Sequence, residues 1–222
     1  MDDFIKRMEF QFDELLDKNP LLSMRFCDNT AIITGVYSIY ERLEEYDMEL
    51  YEDFFDIEIR VEDDFPKSIP KVKELGHRVR SVSYEHINPD GTLCLEVDTK
   101  ILIDLNKNPT LLYFSEEFIK TYFISFLFFK RHGKFPFGER SHGEDGYLEF
   151  YSELFSITNK EAARKLLSLL FNGGLKGHVL CSCDSGRRYR NCHREQINIL
   201  MESPYKDYYY KDYKLLSKRS SI

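Results

Sequence analysis

The chain opens on a helical pattern of apolar and polar positions. Apolar residues recur every three or four positions between charged neighbours, and the pattern stops at Asn19-Pro20. The sequence therefore predicts an amphipathic helix over residues 4–18. The apolar positions of this helix are Ile5, Met8, Phe12, Leu15 and Leu16.

The next part of the chain has the patterns of β-strands. Residues 31–40 are rich in strand-forming types, and residues 55–62 alternate strictly between apolar and charged positions. This alternation predicts a strand with one buried and one solvated face. Pro66 and Pro70 bracket a turn before a short apolar piece at residues 71–73, because proline cannot donate to a strand ladder. Three or four antiparallel strands are expected.

The periodicity lapses between residues 83 and 104. Within this stretch, Asn88-Pro89-Asp90-Gly91 is a run of turn-forming residues that favours a compact loop. Cys94 lies just beyond that turn, so the sequence places a thiol within an irregular segment.

Helical patterns return in the second half. A helix is predicted from Ser115 to about Arg131, with Ser115 as a good N-cap, and its many aromatic residues predict that it is mostly buried. Two shorter helices are predicted over residues 147–155 and 158–171. Thr158 and Glu161 form a capping box at the start of the second of these.

The order of elements predicts the α+β class, with helices segregated from an antiparallel meander. Asn172-Gly173-Gly174 ends the last of these helices. We therefore expect a main domain with a helical extension over residues 1–172 and a small appended domain over residues 173–222. The tail after Tyr205 alternates tyrosine and lysine and is expected to be flexible or a peripheral helix.

Composition and charge narrow the possible functions. The chain is 42% hydrophobic and 31% charged, as in globular proteins, and its net charge of −7 argues against nucleic acid as a partner. The longest apolar run, residues 122–129, falls far short of the roughly 20 residues of a spanning helix. Nothing in the sequence indicates a membrane or secretory target. The five cysteines are not spaced like a disulfide framework, so a cytoplasmic location is expected.

Cys94 is the candidate nucleophile. A thiolate attacks acyl groups readily, and a thioester keeps an acyl group activated for transfer to an amine. His86, eight residues earlier in the same loop, is the expected assistant, as a hydrogen-bond donor to an oxyanion or as a general base. Asp98 and Asp104 follow the cysteine, where an acid could position an incoming lysine.

The residues of this region resemble the ubiquitin-conjugating enzymes. The resemblance is specific over residues 65–95, through Phe65-Pro66, Pro70-Lys71-Val72 and Tyr84-Glu85-His86-Ile87-Asn88-Pro89-Asp90-Gly91-Thr92-Leu93-Cys94-Leu95. The family signature is a His-Pro-Asn triplet, a glycine, two further residues, the catalytic cysteine and a leucine. The glycine and cysteine align with Gly91 and Cys94, but the triplet falls on Tyr84-Glu85-His86, so a histidine replaces the family asparagine.

The resemblance implies both a fold and an activity. It implies a ubiquitin-conjugating-like fold in which Cys94 accepts a partner's C-terminal carboxyl as a thioester and passes it to an amine. The histidine in place of asparagine resembles divergent bacterial members found in antiphage operons of the CBASS type. There the partner would be a cGAS-like nucleotidyltransferase or a ubiquitin-like protein. No phosphate-binding loop is present in the sequence, so a separate activating enzyme or an activated donor is expected.

A second group of cysteines predicts a metal site. Three thiols and one imidazole within thirteen residues form a closed tetrahedral donor set, which is typical of structural zinc. The spacing resembles the SEC-C motif at the end of the bacterial preprotein-translocation ATPase. Such a knuckle is too small to bury a core, so zinc would supply its folding energy. The predicted ligands are Cys181, Cys183, Cys192 and His193.

Two other functions remain open from the sequence. His86 in place of asparagine also fits a catalytically inert adaptor that uses both parts of the chain for docking. Arginines beside the cysteine cluster would suit a nucleic-acid-associated regulator, although a solvated face is the simpler interpretation. Cys27 is interpreted as structural, and His142, in a glycine-rich connection, is a minor candidate. The arginines are Arg187, Arg188, Arg190 and Arg194.

Overall fold

A computed structural model describes residues 2–81, 86–138, 140–173 and 175–217. The chain forms two compact units, Met1–Glu139 and Arg140–Ile222. Within the described ranges, no helix has the length and apolar character needed to cross a membrane.

The first unit is α+β, which confirms the predicted class. It has a four-stranded antiparallel sheet with helices before and after it. One turn of 3₁₀-helix, Val79–Ser81, follows the sheet, and a π-helical turn, Ser115–Lys120, joins the last two helices. The elements are α1 (Asp2–Leu16), β1 (Leu22–Cys27), β2 (Thr30–Arg42), β3 (Leu50–Glu62), β4 (Lys71–Glu74), α2 (Asp98–Lys107), α3 (Leu111–Phe114) and α4 (Thr121–His132).

The sheet is a simple meander in the order β1-β2-β3-β4. The two long strands β2 and β3 pair along their whole lengths, from Thr30 opposite Glu62 to Arg42 opposite Leu50. The alternation read from residues 55–62 is confirmed, since the apolar positions are buried and the charged ones face outward. Strand β1 lies at the sheet edge and only its first residue, Leu22, is buried, which explains its weak sequence pattern.

Aromatic side chains fill the space between the sheet and the helices. Phe55 of β3 stacks on Phe123 of α4 with ring centroids 4.0 Å apart, and Phe126 meets Phe55 edge-on. Helix α1 adds Met8 and Leu15, both fully buried, to the same core. Burial of this aromatic surface fixes helix α4 against the sheet.

The long helical segment starts earlier than predicted. Thr110 is the N-cap, because its side chain accepts a hydrogen bond from the backbone N–H of Tyr113 at 3.1 Å. The prediction of Ser115 as N-cap is therefore wrong. Ser115 is fully buried, and its hydroxyl lies 2.8 Å from the hydroxyl of Tyr37.

Helix α2 lies in a stretch that the sequence predicts to be irregular. Ile101 and Leu105 are buried on one side of it, four residues apart, together with Thr99. Its N-cap, Val97, supplies no side-chain hydrogen bond. Because this helix starts without a capping side chain and its apolar stripe is short, the sequence shows no clear helical pattern here.

The second unit is helical. Asn159 caps α6 by accepting hydrogen bonds from two backbone N–H groups, so the capping box predicted at Thr158 is wrong. The tyrosine-rich tail forms a helix whose Tyr209 and Leu216 are buried. Both helices predicted between residues 147 and 171 fall in this unit, and the domain boundary at residue 172 stays a prediction. The helices are α5 (Glu144–Leu154), α6 (Lys160–Leu169), α7 (Arg194–Glu202) and α8 (Lys206–Ser217).

The contact between Tyr37 and Ser115 gives a test of how the sheet holds the helices. The Tyr37 hydroxyl donates to the Ser115 carbonyl at 3.1 Å, and burial raises the pKa of this tyrosine well above its usual value. Tyr37→Phe removes the hydroxyl and leaves buried polar atoms of Ser115 short of a partner. The free energy of unfolding should fall by about 1–2 kcal/mol, measured by chemical denaturation. Tyr40→Phe, on the exposed face of the same strand, should change it by less than about 0.5 kcal/mol.

Candidate active site and metal centre

The segment before and after Cys94 forms a small hairpin in the first unit. Ile87 pairs with Leu93 in an antiparallel bridge, and the backbone N–H of Cys94 donates to the carbonyl of His86 at 3.0 Å. The N–H of Leu93 donates to the carbonyl of Val72 at 2.7 Å. The hairpin is thus attached to β4 through its second arm.

The hairpin brings His86 and Cys94 together. Residues that face each other across an antiparallel pair project to the same side, and their neighbours project to the other side. Leu93 is buried in the core, so Cys94 points the opposite way and is only half-buried. A ring nitrogen of His86 lies within 4.8 Å of the Cys94 sulfur. The two side chains, eight positions apart in the sequence, are therefore neighbours in the structure.

The turn of the hairpin is built by the predicted turn-forming residues. Asp90 accepts hydrogen bonds from the backbone N–H and the hydroxyl of Thr92, at 3.0 and 2.6 Å. These bonds lower the pKa of the Asp90 carboxyl. Gly91 has φ +84°, a left-handed conformation in which side chains are strained, so glycine is required there. The turn fixes the register that sets His86 opposite Cys94.

The surroundings of Cys94 favour the neutral thiol. Burial raises the pKa of the Cys94 thiol, and the negative charges of Asp98 and Glu96 raise it further. Each of these effects disfavours the thiolate. Cys94 therefore carries less negative charge at neutral pH than an exposed cysteine does.

The two acids named from the sequence have different settings. Asp98 is exposed at the start of α2 and acts on the Cys94 thiol. Asp104, one and a half turns later, is ion-paired with Lys100 at 3.3 Å and lies 3.8 Å from Lys107. Of the two, Asp98 is the one whose negative charge raises the pKa of the Cys94 thiol.

The sequence named three further sets of candidate residues. Tyr84 and Glu85, which align with the first two residues of the family triplet, are outside the residues that the structure describes. Cys27 is exposed at the end of β1. His142 belongs to the second unit, where it is exposed shortly before α5.

The second unit gathers the four predicted metal ligands. Leu180 pairs with Arg188 across a tight turn that carries Cys181 and Cys183. A short 3₁₀ turn, Tyr189–Asn191, then delivers Cys192 and His193 to the start of α7. The ligand atoms of the four residues lie within 4.8 Å of one another, so the cluster could bind a metal ion.

The distances suit a tetrahedral ion. Bond lengths of about 2.3 Å to sulfur and about 2.0 Å to nitrogen imply ligand separations of roughly 3.5–3.8 Å around zinc. The Nδ1 atom of His193 lies 3.3 Å from the sulfurs of Cys181 and Cys192, and the sulfurs of Cys183 and Cys192 are 3.5 Å apart. These separations are close to those of a tetrahedral zinc site.

The hydrogen bond made by the second ring nitrogen of His193 orients this side chain for metal binding. Nε2 of His193 lies 3.0 Å from the carbonyl oxygen of Phe155. A carbonyl can only accept, so Nε2 carries the proton and Nδ1 presents its lone pair to the cysteines. This is the outer-shell contact that metal-binding histidines usually make.

The thiols of the cluster differ in acidity. Burial raises the pKa of Cys181 to about 11. Burial acts in the same direction on Cys183, but hydrogen bonds from Ser185 and from the neighbouring thiols outweigh it and lower its pKa to about 6. The Cys183 thiol thus ionises more readily than the Cys181 thiol. Arg187, Arg188, Arg190 and Arg194 are all exposed around it.

Sequence reasoning missed one residue of the first site. The hydroxyl of Tyr122, on α4, donates to the His86 carbonyl at 2.9 Å. Its position in an aromatic run, between Ile119 and Phe126, indicates only a core residue. No local pattern could have shown a contact between residues 36 positions apart.

The thiol environment gives a direct test. Asp98→Asn removes a negative charge that holds the Cys94 pKa up, so its thiolate fraction should rise. Alkylation of Cys94 by iodoacetamide at pH 7.5, followed by peptide mass spectrometry, should become roughly two- to fivefold faster. Asp104→Asn is the matched control and should leave the rate unchanged. A rate unaffected by Asp98→Asn would contradict the assigned role of that carboxylate.

Comparison of the chain with models of known protein families, with curated proteins and with solved structures found no match. The function must therefore be argued from the residues and geometry of the two sites.

Proposed function

We propose that the chain is a ubiquitin-conjugating-like transferase that carries an acyl group as a thioester on Cys94. The observation that supports this most is the hairpin that sets the His86 ring within 4.8 Å of the Cys94 sulfur, on the side facing away from the core. The acyl group would come from the C-terminus of a protein. Through the family resemblance, that protein is a cGAS-like nucleotidyltransferase or a ubiquitin-like protein in antiphage defence.

The order of elements supports the same proposal. A helix, a four-stranded antiparallel meander, a cysteine loop and further helices follow one another in the first unit, as the resemblance implies. The cysteine comes after the last strand and just before α2, on a loop attached to β4. Such a loop on a rigid sheet can present a thiol to a flexible protein terminus.

The chemistry proceeds in two acyl transfers. In the first, the Cys94 thiolate attacks the carbonyl carbon of an activated carboxyl, and the activating group leaves with the bonding electron pair. In the second, an amine attacks the thioester carbonyl and gives up one proton, and the Cys94 sulfur leaves as a thiolate. Each step passes through an oxyanion, for which a donor nearby lowers the barrier.

His86 would serve the second transfer. A protonated ring nitrogen can donate to the oxyanion, and an unprotonated one can accept the proton of the attacking amine. Histidine ordinarily changes charge near neutral pH. Asp98, exposed nearby, would attract the ammonium form of a lysine acceptor.

The raised pKa of Cys94 affects the two transfers in opposite directions. It lowers the thiolate fraction, which slows loading. It also makes the sulfur a poorer leaving group, which protects the thioester from water until an amine is held in place. The thiol is therefore better suited to retaining an acyl group than to capturing one rapidly.

An adaptor without catalysis is the second candidate. The observation that favours it is the same raised pKa, since an inert fold would leave its cysteine neutral. On this alternative, partner binding would be indifferent to the loss of the Cys94 sulfur.

For the second unit we propose a structural zinc knuckle. Three thiolates and one imidazole fill all four positions of a tetrahedral zinc ion, so none is left for water or substrate. Bound zinc would link the turn that carries Cys181 to the start of α7 and add to the stability of this unit. No step of the acyl transfer involves this site.

Loading can be tested without knowing the natural partner. The protein is mixed with a peptide thioester that ends in glycine, and the products are separated under non-reducing conditions. A thiol-sensitive adduct of one peptide mass should form and should disappear in Cys94→Ala. Cys27→Ala removes the exposed cysteine of β1 and should leave the adduct unchanged.

Discharge tests the role of His86. Addition of free lysine to the loaded protein should release the peptide, and His86→Ala should slow this release by about 10- to 100-fold. Asparagine is the residue of the family at this position, so His86→Asn should restore much of the rate. Absence of any Cys94-dependent adduct, with the peptide or with genomic neighbours and ATP, would favour the adaptor.

Zinc binding has its own test. Protein purified with zinc should contain about one metal ion per chain by elemental analysis, and Cys192→Ser should abolish it. Removal of zinc by a chelator should lower the melting temperature of the second unit. Cys27→Ser should retain the metal, and metal content that survives Cys192→Ser would exclude the proposed ligand set.

A further inference from the structure

The carbonyl oxygen of His86 accepts one hydrogen bond from the hairpin and one from helix α4. One comes from the backbone N–H of Cys94 at 3.0 Å and the other from the hydroxyl of Tyr122 at 2.9 Å. A carbonyl has two lone pairs, so both donors can be satisfied together. The oxygen links the cysteine backbone to helix α4.

Tyr122 is a rigid donor. Its side chain is 4% exposed, and its ring packs edge-on against Phe123 at 5.5 Å. Phe123 in turn stacks on Phe55 of the sheet at 4.0 Å. The hydroxyl therefore has little freedom to move away from the hairpin.

The π-helical turn explains why Tyr122 points at the hairpin. Ser115–Lys120 ends two residues before Tyr122, and a π turn adds one residue to the helical repeat. This rotates the following helix by about 100° relative to an uninterrupted α-helix. Buried hydrogen bonds from Tyr37 to Ser115 and an ion pair from Lys120 to Glu41 hold the turn against β2.

We propose that Tyr122 is a positioning residue for Cys94, acting through the carbonyl of His86. Its hydroxyl holds the first arm of the hairpin so that the sulfur and the imidazole keep their mutual placement. This role rests on the proposed transferase function, because it concerns the geometry of acyl transfer. Tyr122 does not touch the reacting atoms.

Loss of the hydroxyl should loosen the hairpin without unfolding the unit. In Tyr122→Phe the ring keeps its packing, and the His86 carbonyl loses the Tyr122 hydroxyl while it keeps the Cys94 N–H as a donor. The arm that carries His86 then opens more often, and water reaches the sulfur. Because burial is the first cause of the raised pKa of Cys94, greater access of water should lower that pKa.

The test compares Tyr122→Phe with Tyr113→Phe. Tyr113, on the preceding part of the same helical segment, is half-buried, and it serves as the matched hydroxyl deletion. Three quantities are measured in each variant: hydrogen exchange of the Cys94 amide, the pH profile of Cys94 alkylation, and release of a loaded peptide to free lysine. Melting temperatures report on the fold.

In Tyr122→Phe, amide exchange at Cys94 should be about fivefold faster, and the alkylation profile should shift to lower pH. Release of the peptide should slow by about tenfold, with a melting temperature close to that of Tyr113→Phe. Unchanged exchange and alkylation in Tyr122→Phe would overturn the proposal. So would equal changes in both variants, since these would show a general loss of packing.

The outcomes separate the two proposals. If the wild-type protein forms no thioester, the transferase function fails, and the exchange and alkylation measurements still decide whether Tyr122 holds the hairpin. If the thioester forms and is released equally fast in Tyr122→Phe and the wild type, only the positioning role fails.

Discussion

The hydrogen bond from the Cys94 N–H to the His86 carbonyl is the contact on which the candidate active site depends. It closes the hairpin in the register that puts both side chains on one side. A shift of one residue would turn either side chain toward the core, because successive residues of a strand face opposite ways. Gly91 and Asp90 stabilise that register from the turn, and the bond from Leu93 to Val72 joins it to the sheet.

The same hairpin limits the reactivity of the thiol. Packing Leu93 into the core brings its neighbour close to the protein interior, and burial raises the pKa of Cys94. Asp98 and Glu96 add to this effect. A geometry that places an imidazole beside a sulfur need not make a strong nucleophile, and here burial and the acidic surroundings favour the neutral thiol over the thiolate.

Sequence patterns predicted the parts of the fold that rest on local periodicity. Strand β3 was readable because each inward position is apolar and each outward one is charged, and α1 because its apolar stripe is continuous. The long helix was found, but its start was not, since Ser115 forms a buried bond with Tyr37 instead of capping. Helix α2 was missed because its N-cap, Val97, has no side chain that can cap a helix.

The sequence predicted the two sites to different extents, because one is built from residues close together in the sequence and the other is not. The cysteine cluster lies within thirteen residues, so its donor types and spacing show the site directly. The first site depends on pairing between strands and on a helix 36 residues away, which no local pattern records. The family resemblance identified Cys94 and His86, whereas Tyr122 could be identified only from the structure.

The two units differ in net charge, and their cysteines therefore lie in different electrostatic surroundings. Residues 1–139 contain 17 basic and 28 acidic residues, and residues 140–222 contain 14 and 10. In the proposed zinc knuckle the cluster thiolates would lie in a basic unit, where exposed arginines would offset the net charge of about −1 that three thiolates leave on a zinc ion. Cys94 lies in an acidic unit, and the side chains that raise its pKa are themselves acids. Such surroundings favour the neutral thiol, so under the proposed function the acyl group would have to arrive already activated, and these acids would attract an amine that carries a positive charge.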